Sequence, residues 1–490
     1  MKSRFVSFFL LVVAAAASAG GAELFLPLGA EHVPGTWIPV RVTAPALPGK
    51  LAAELAVIPD GGTEPVFTCR LTPRELSARA FDFVIVAPRG GSRLRFTATG
   101  ENFRYQEEVG RLQSARAPFL RDAVMAAPVE NAEFFRGCGS VFIPESAGRD
   151  WSAAARAALV SWVRAGGQAL CASPDLYREL REFAARDNPR LAPGREQAFA
   201  LAPRSPAIRF CLCGRGIFAD LRGREDAMPR LREKLRRTYA PARERAHDDI
   251  RLAPGRYLAY GDWAPPPPLP ARTAALWLGA WLALAAACLL FVPARTRVPS
   301  LAFLTLLAAV VFWRARPPEK FRALTFTLVD HTAPEPRAEQ ITLLTPAADG
   351  VEITVPWNLT RLLAPAAREL AAAHLALELP SEPQAAASPA GRLVLNRELV
   401  RRGRTLLLAS PARAVFAGEN PLAADALYPA GGRPALTNAA LDAARARITL
   451  AAAGENPPPP GRRTRLVWEN APAAGARDLG RLHCFWEDGE

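Results

Sequence analysis

A run with no charged residue, 273–292, constrains this 490-residue chain more than any other feature. It holds Leu276, Trp277, Trp281 and Leu289 and shows no polar face. At 1.5 Å per residue its length matches a hydrocarbon core of about 30 Å. A second apolar run, 298–313, would reach about 24 Å by the same rise. The link from Pro293 to Pro299 is short and carries Arg295 and Arg297, and Trp277 and Trp313 lie near run ends, where indole rings favour an interface. The pattern predicts a transmembrane helical hairpin of 273–292 and 298–313.

The N-terminus predicts export. Lys2 and Arg4 precede an apolar stretch at 5–17, and Ala17-Ser18-Ala19 offers a small-x-small cleavage pattern, giving a signal peptide over 1–22. With the hairpin, this places the protein at the bacterial inner (cytoplasmic) membrane, most of the chain on the periplasmic or external side. Arg295 and Arg297 fit an inside loop, whereas Arg314, Arg316, Lys320 and Arg322 oppose it. The signal outweighs them, because long exported domains tolerate flanking charge. A cytoplasmic C-terminal part behind a single effective span is the alternative topology.

Length predicts two to four domains. With 50% apolar and 22% charged residues, the chain is not disordered, collagen-like or a coiled coil. Long apolar runs occupy too little of it for a polytopic transporter. The formal charge is +14, from 61 basic residues of which only Lys2, Lys50, Lys234 and Lys320 are lysine. The arginines are scattered, with short groups at Arg236-Arg237 and 401–404, and no basic helix interleaved with aromatics occurs. This argues for a solvated surface and against a nucleic-acid partner. Gly-x-x-x-x-Gly-Lys and Gly-x-Gly-x-x-Gly are both absent, so neither a nucleotide nor another cofactor is expected.

Along the chain, 23–112 reads as short alternating strands punctuated by Pro34-Gly35, Asp60-Gly61-Gly62 and Gly90-Gly91. Seven strands at that spacing predict an immunoglobulin-like β-sandwich. Residues 113–262 change to βαβ logic: strands at 123–127 and 140–144, an amphipathic helix from Ser152 to Ala165 stopped by Gly166-Gly167, a strand at 168–172, and further strands at 209–213, 216–219 and 257–260. A Pro-rich linker covers 263–272. Residues 317–490 read as a β-rich C-terminal domain, with strands at 324–329, 341–344, 393–395, 405–408, 448–450 and 466–468 and a helix at 362–377. The predicted class is multidomain α/β plus β.

Ser140-Val-Phe-Ile-Pro144, the helix 151–163 and Gly166-Gly167-Gln-Ala-Leu-Cys-Ala-Ser-Pro174 together resemble the class I glutamine-amidotransferase-like (flavodoxin-like) fold. Cys213-Gly-Arg-Gly-Ile-Phe-Ala-Asp220 is similar to the glycine-turn strand of exported members. With the β domain before it and the apolar pair behind, the chain resembles bacterial membrane-anchored proteins found in aerotolerance-type clusters beside von Willebrand A proteins. That resemblance covers about a third of the chain and implies a non-catalytic, envelope-anchored module.

Catalytic relatives of that fold place a cysteine nucleophile at a strand-to-helix elbow. Here Ala169-Leu-Cys171-Ala-Ser173 puts Cys171 near that place, with both customary glycines replaced by small residues. Downstream of it and before the hairpin the only base candidate is His247, in His247-Asp248-Asp249, which lacks the His-x-Glu of glutamine hydrolases. A buried structural thiol is the competing reading of Cys171, and a solvated loop that of His247. Cys138 sits in a Gly-Cys-Gly that precedes a strand, and Cys211 and Cys213 would share one strand face. Cys288 is a small apolar residue of the first long helix, and Cys69 and Cys484 stand apart. No metal set is completed, and His32, His331, His374 and His483 read as isolated.

The leading expectation is a non-catalytic scaffold, sensor or interaction module acting through exported domains. Its expected partners are other envelope or membrane proteins and membrane lipid. The alternative is an exported cysteine-dependent hydrolase or amidase using Cys171.

Overall fold

The computed structural model describes residues 21–45, 50–75, 80–88, 90–114, 121–147, 151–199, 207–221, 271–314, 321–331, 336–364, 375–379, 391–397, 399–400, 405–412, 445, 448–449, 462–469 and 478–488. Residues 1–20 of the expected signal peptide, 263–270 of the linker, the strand at 257–260 and His247 lie outside them.

Strand alternation organises the N-terminal part. In Ala80–Val86 the odd positions Phe81, Phe83 and Ile85 are buried while Ala80 and Asp82 face solvent. This strand joins Trp37–Thr43 and Glu23–Phe25 in a three-stranded antiparallel sheet. Facing it is an eight-stranded sheet. Four of its strands are Phe67–Glu75, Lys50–Pro59, Ser92–Thr99 and Arg104–Ser114, in that order, with Glu31–His32 at the far edge.

This sandwich is not confined to 23–112. Leu375–Leu379 pairs in parallel with Phe67–Glu75, and Gly391–Leu395 and Ile353–Trp357 continue the sheet beyond it. One core therefore holds Phe67, Phe83 and Phe96 together with Trp357, Leu377 and Leu395. The separate N-terminal sandwich and C-terminal domain are corrected to a shared β body. The helix expected at 362–377 is corrected too. Its ends are the strands Arg361–Ala364 and Leu375–Leu379, the latter with Leu375, Leu377 and Leu379 buried in two-residue alternation. Pairing with a distant strand overrides the local apolar pattern there.

The remaining C-terminal strands form a six-stranded sheet. Its order is Arg361–Ala364, Leu406–Ala412, Arg337–Pro346, Phe321–Asp330, Asp478–Asp488, Arg462–Glu469. The strand expected at 448–450 is instead helical at 448–449, where Thr449 Oγ1 donates to the Arg445 carbonyl at 2.8 Å.

The α/β part is smaller than an amidotransferase-like domain. Arg121–Val124, Cys138–Ile143, Gln168–Cys171 and Gly216–Asp220 are parallel neighbours in chain order. The antiparallel strands Ile208–Cys213 and Gln197–Phe199 close the edge. Two helices cross over. Ala153–Arg164 begins at Ser152, whose hydroxyl accepts from Ala155 N–H, and Pro174–Asp187 begins at Ser173 in the same manner. Both contribute to one core against one sheet face. A doubly wound domain would cover both faces with crossover helices and reverse its strand order. Here, among the described residues, the four parallel strands keep chain order, and 208–220 is a hairpin where another crossover would stand. The molecule is predominantly β, with four α-helices among the described residues. This overturns the large α/β amidotransferase-like domain.

Two further helices, Ala271–Phe291 and Arg297–Arg314, form an adjacent pair. The link is closed by Arg297 Nε donating to the Val292 carbonyl at 2.8 Å. Among the described residues, however, no helix is long and apolar enough to cross a membrane. The expected transmembrane hairpin, and the membrane assignment that rested on it, are corrected accordingly.

Candidate functional site

Open parallel sheets bind ligands at the carboxyl ends of their strands. Ile143, Cys171 and Asp220 end three adjacent parallel strands in register here. Cys171 stands between Gln168–Cys171 and the helix capped by Ser173, so the strand-to-helix elbow exists. Its thiol is fully buried with Tyr177, Leu180, Cys211 and Phe218. Burial pushes the thiol pKa far up, and neighbouring Asp220 and Cys211 add to that. The nucleophilic form of cysteine is the thiolate. In this conformation Cys171 is protonated and shielded.

The other thiols tell the same story. Cys211 and Cys213 share one strand face, as their spacing predicts, and both are buried. Tyr177 is within hydrogen-bonding reach of Cys211, and its hydroxyl donates to Glu196 Oε2 at 3.3 Å. Burial pushes Cys69 and Cys484 up to about 12. Cys138 opens a wholly buried strand. All seven cysteines are buried, and none is in a disulfide. Among the described residues no group of three His, Cys, Asp or Glu side chains is placed to hold a metal.

Gly214 and Gly216 serve packing. The hairpin tip presses on the end of helix Ala153–Arg164, with Arg215 N–H donating to the Arg164 carbonyl at 2.9 Å. A Cβ at Gly216 would sit 1.9 Å from the Val163 carbonyl oxygen, so only glycine fits.

Two histidines that look isolated in the sequence meet in the structure. Val329 and His483 are register partners across parallel strands, and Val467 and His483 across antiparallel ones. His331 and Glu469 each lie two residues farther on, diagonal to His483 on the same sheet face. Their side chains form a chain: His331 Nε2 to His483 Nδ1 at 2.9 Å, and His483 Nε2 to Glu469 Oε2 at 3.1 Å. With Glu469 accepting from His483 Nε2–H, a neutral His483 has a bare Nδ1, and His331 Nε2–H donates to it. His331 is half-buried and stacks on Phe485 with centroids 4.4 Å apart and planes 10° from parallel. His483 is fully buried. Desolvation lowers both imidazoles, His483 to about 4, despite the carboxylates of Glu469 and Asp330. No sequence spacing signals this cluster, since sheet register alone creates it. His32 is buried with both ring nitrogens near carbonyls, of Ala30 and Pro88, and His374 lies outside the described residues.

The third feature is the helix pair. Leu276 is 75% exposed, Phe291 84% and Val298 76%, with Leu282, Leu290 and Phe303 also open. Cys288 is buried in the seam between the helices, beside Phe303 and Leu304.

No family model matches the chain, and no curated protein matches it. Among solved structures, the sulfur carrier protein SoxY from Chlorobium limicola f thiosulfatophilum is 14% identical, over 22% of this chain and 98% of that one. Its TM-score is 0.14, too slight a likeness to bear on fold or function.

Proposed function

We propose that the protein is a non-catalytic interaction module of the cell envelope that holds a partner protein through its apolar helix pair. One observation carries this reading. Monomeric soluble surfaces rarely leave a contiguous apolar patch of more than a few hundred Å² uncovered. Here leucine, valine and phenylalanine side chains stand exposed around both helices, from Leu276 to Leu307. At about 25 cal/mol per Å², covering even half of that surface is a strong driving force for association. The complementary surface is an apolar helical face of another protein, because two helices offer ridges and grooves for helix packing. The buried, protonated thiol of Cys171 supports the same reading over a thiol hydrolase.

The test places a photoreactive amino acid at Leu276 and, separately, at Phe291 of the full-length protein in its native cells. Discrete adducts with the same protein from both positions, lost in an L276D/L290D variant, support the proposal. Adducts with lipid alone, or none at all while the protein remains folded and soluble, overturn it.

A further inference from the structure

The Glu469–His483–His331 chain has one more property. It ties together three neighbouring strands, Arg462–Glu469, Asp478–Asp488 and the end of Phe321–Asp330, the first of which is the edge of the sheet. The central hydrogen bond needs one ring nitrogen without a proton. Once both imidazoles are fully protonated, every ring nitrogen is a donor and the bond between them is lost. Two positive rings then face each other where the nitrogens are now 2.9 Å apart.

We propose that this chain is an acid-operated clasp, closed while His331 and His483 are neutral and released by protonation, which frees the edge strand Arg462–Glu469. The surrounding charges, taken from each described element packed on the rings, set its balance. Asp330 at the end of Phe321–Asp330 and Glu469 on the edge strand favour the protonated rings. Arg481 on the middle strand and the second imidazole oppose them. Arg465 stands on the edge strand, two register positions from Val467 and on the same face. The thiol of Cys484 alternates to the opposite face. One proton can still be carried on His331 Nδ1 with the chain intact. The second, on His483, cannot, and that is the releasing step.

The direction follows from linkage. Both rings are held below the ordinary value of 6.5, so the folded clasp binds fewer protons than the open strand. Its contribution is complete above pH 6.5 and is lost as pH falls from there towards about 4. Release of the edge strand leaves Asp478–Asp488 with unpaired backbone groups, a surface able to accept another strand.

The test uses the full-length protein with 15N-labelled histidine and, in parallel, amide exchange read by peptide mass spectrometry. At pH 5.5 an ordinary imidazole is about nine-tenths protonated, whereas His483 should still show one bare and one protonated nitrogen. After correction for intrinsic exchange, opening of peptides covering 462–469 should increase as pH falls below 6.5, by up to about tenfold per pH unit for each of the two imidazoles. Peptides from Ser92–Thr99 serve as the unchanged reference. His483→Gln should remove most of that slope. Should it fail to fold, His331→Phe keeps a ring on Phe485 and removes one titrating group, and its slope should fall. A His483 that titrates at 6.5, or an edge strand whose protection does not change between pH 7 and 5, overturns the clasp. So does a slope unchanged in a folded variant.

Discussion

Leu377 and Cys69 are register partners in adjacent parallel strands, although one lies in the C-terminal part of the chain and the other in the N-terminal part. Both side chains are fully buried in the core shared by these parts. The two parts should therefore unfold together. Leu377→Ala should destabilise by about 2–5 kcal/mol, the range for deleting a buried leucine side chain. Circular dichroism and tryptophan emission should report coincident transitions for the β body in wild type and variant. Separate transitions for the N-terminal strands would disprove the shared core.

Glu339 is 6% exposed and sits within 3.5 Å of Arg136 on the α/β side and against Arg361 on the C-terminal sheet. Arg136 also pairs with Glu133 at 2.9 Å. Removing one member of a buried pair leaves an uncompensated charge, at a cost of about 3–5 kcal/mol. Glu339→Gln should fall in or just below that range, since the amide still accepts from Arg361. Urea titration of the wild type, E339Q, R361Q and the double variant measures the coupling. Additive losses would show that Glu339 and Arg361 are not coupled.

The thiols predict an alkaline limit. Cys69 and Cys484 are raised to about 12 by burial, so the folded state holds protons that the unfolded chain releases near 9. Their contribution is fully present below pH 9 and is lost as pH rises towards 12. Thermal midpoints should decline above pH 9, less so in a Cys69→Ser variant after allowance for its lower starting stability. At pH 7.5 the native protein should resist iodoacetamide at Cys171, with labelling by mass spectrometry appearing only on unfolding. Rapid native labelling of Cys171 would revive a nucleophilic role for it.

Gly216→Ala drives a Cβ into the Val163 carbonyl, backbone against backbone, with no flexible side chain to yield. The hairpin tip must then lift from the end of helix Ala153–Arg164. A loss of at least about 1–3 kcal/mol is expected, read as a lower urea midpoint, whereas Gly350→Ala, with open space around it, tests φ strain alone.

Local structure was legible where one residue's neighbours decide it. Ser152 and Gly166-Gly167 bracket the helix Ala153–Arg164, and alternation in 80–86 and 92–99 marks strands with one buried face. Partnership was not legible. Nothing near Leu375 announces Phe67, and nothing near His331 announces His483, because register between distant strands leaves no local pattern. The apolar run at 273–292 correctly marks a helix, but hydropathy alone could not decide what covers it. The Gly-Arg-Gly turn that resembles a family motif is explained by its contact with Arg164 and Val163.

The parallel pairing of Phe67–Glu75 with Leu375–Leu379 also sets an order of events in the cell. Chains emerge from the ribosome N-terminus first, at about 5–20 residues per second. The edge beside Phe67 is made early, and its partner arrives only after some three hundred further residues have been added. For tens of seconds, by that rate, a half-built sheet with an open edge must be kept from pairing with its neighbours. Formation of the finished sheet is thus a late, long-range closure, and maturation of this protein depends on whatever shelters that edge while the rest of the chain is made.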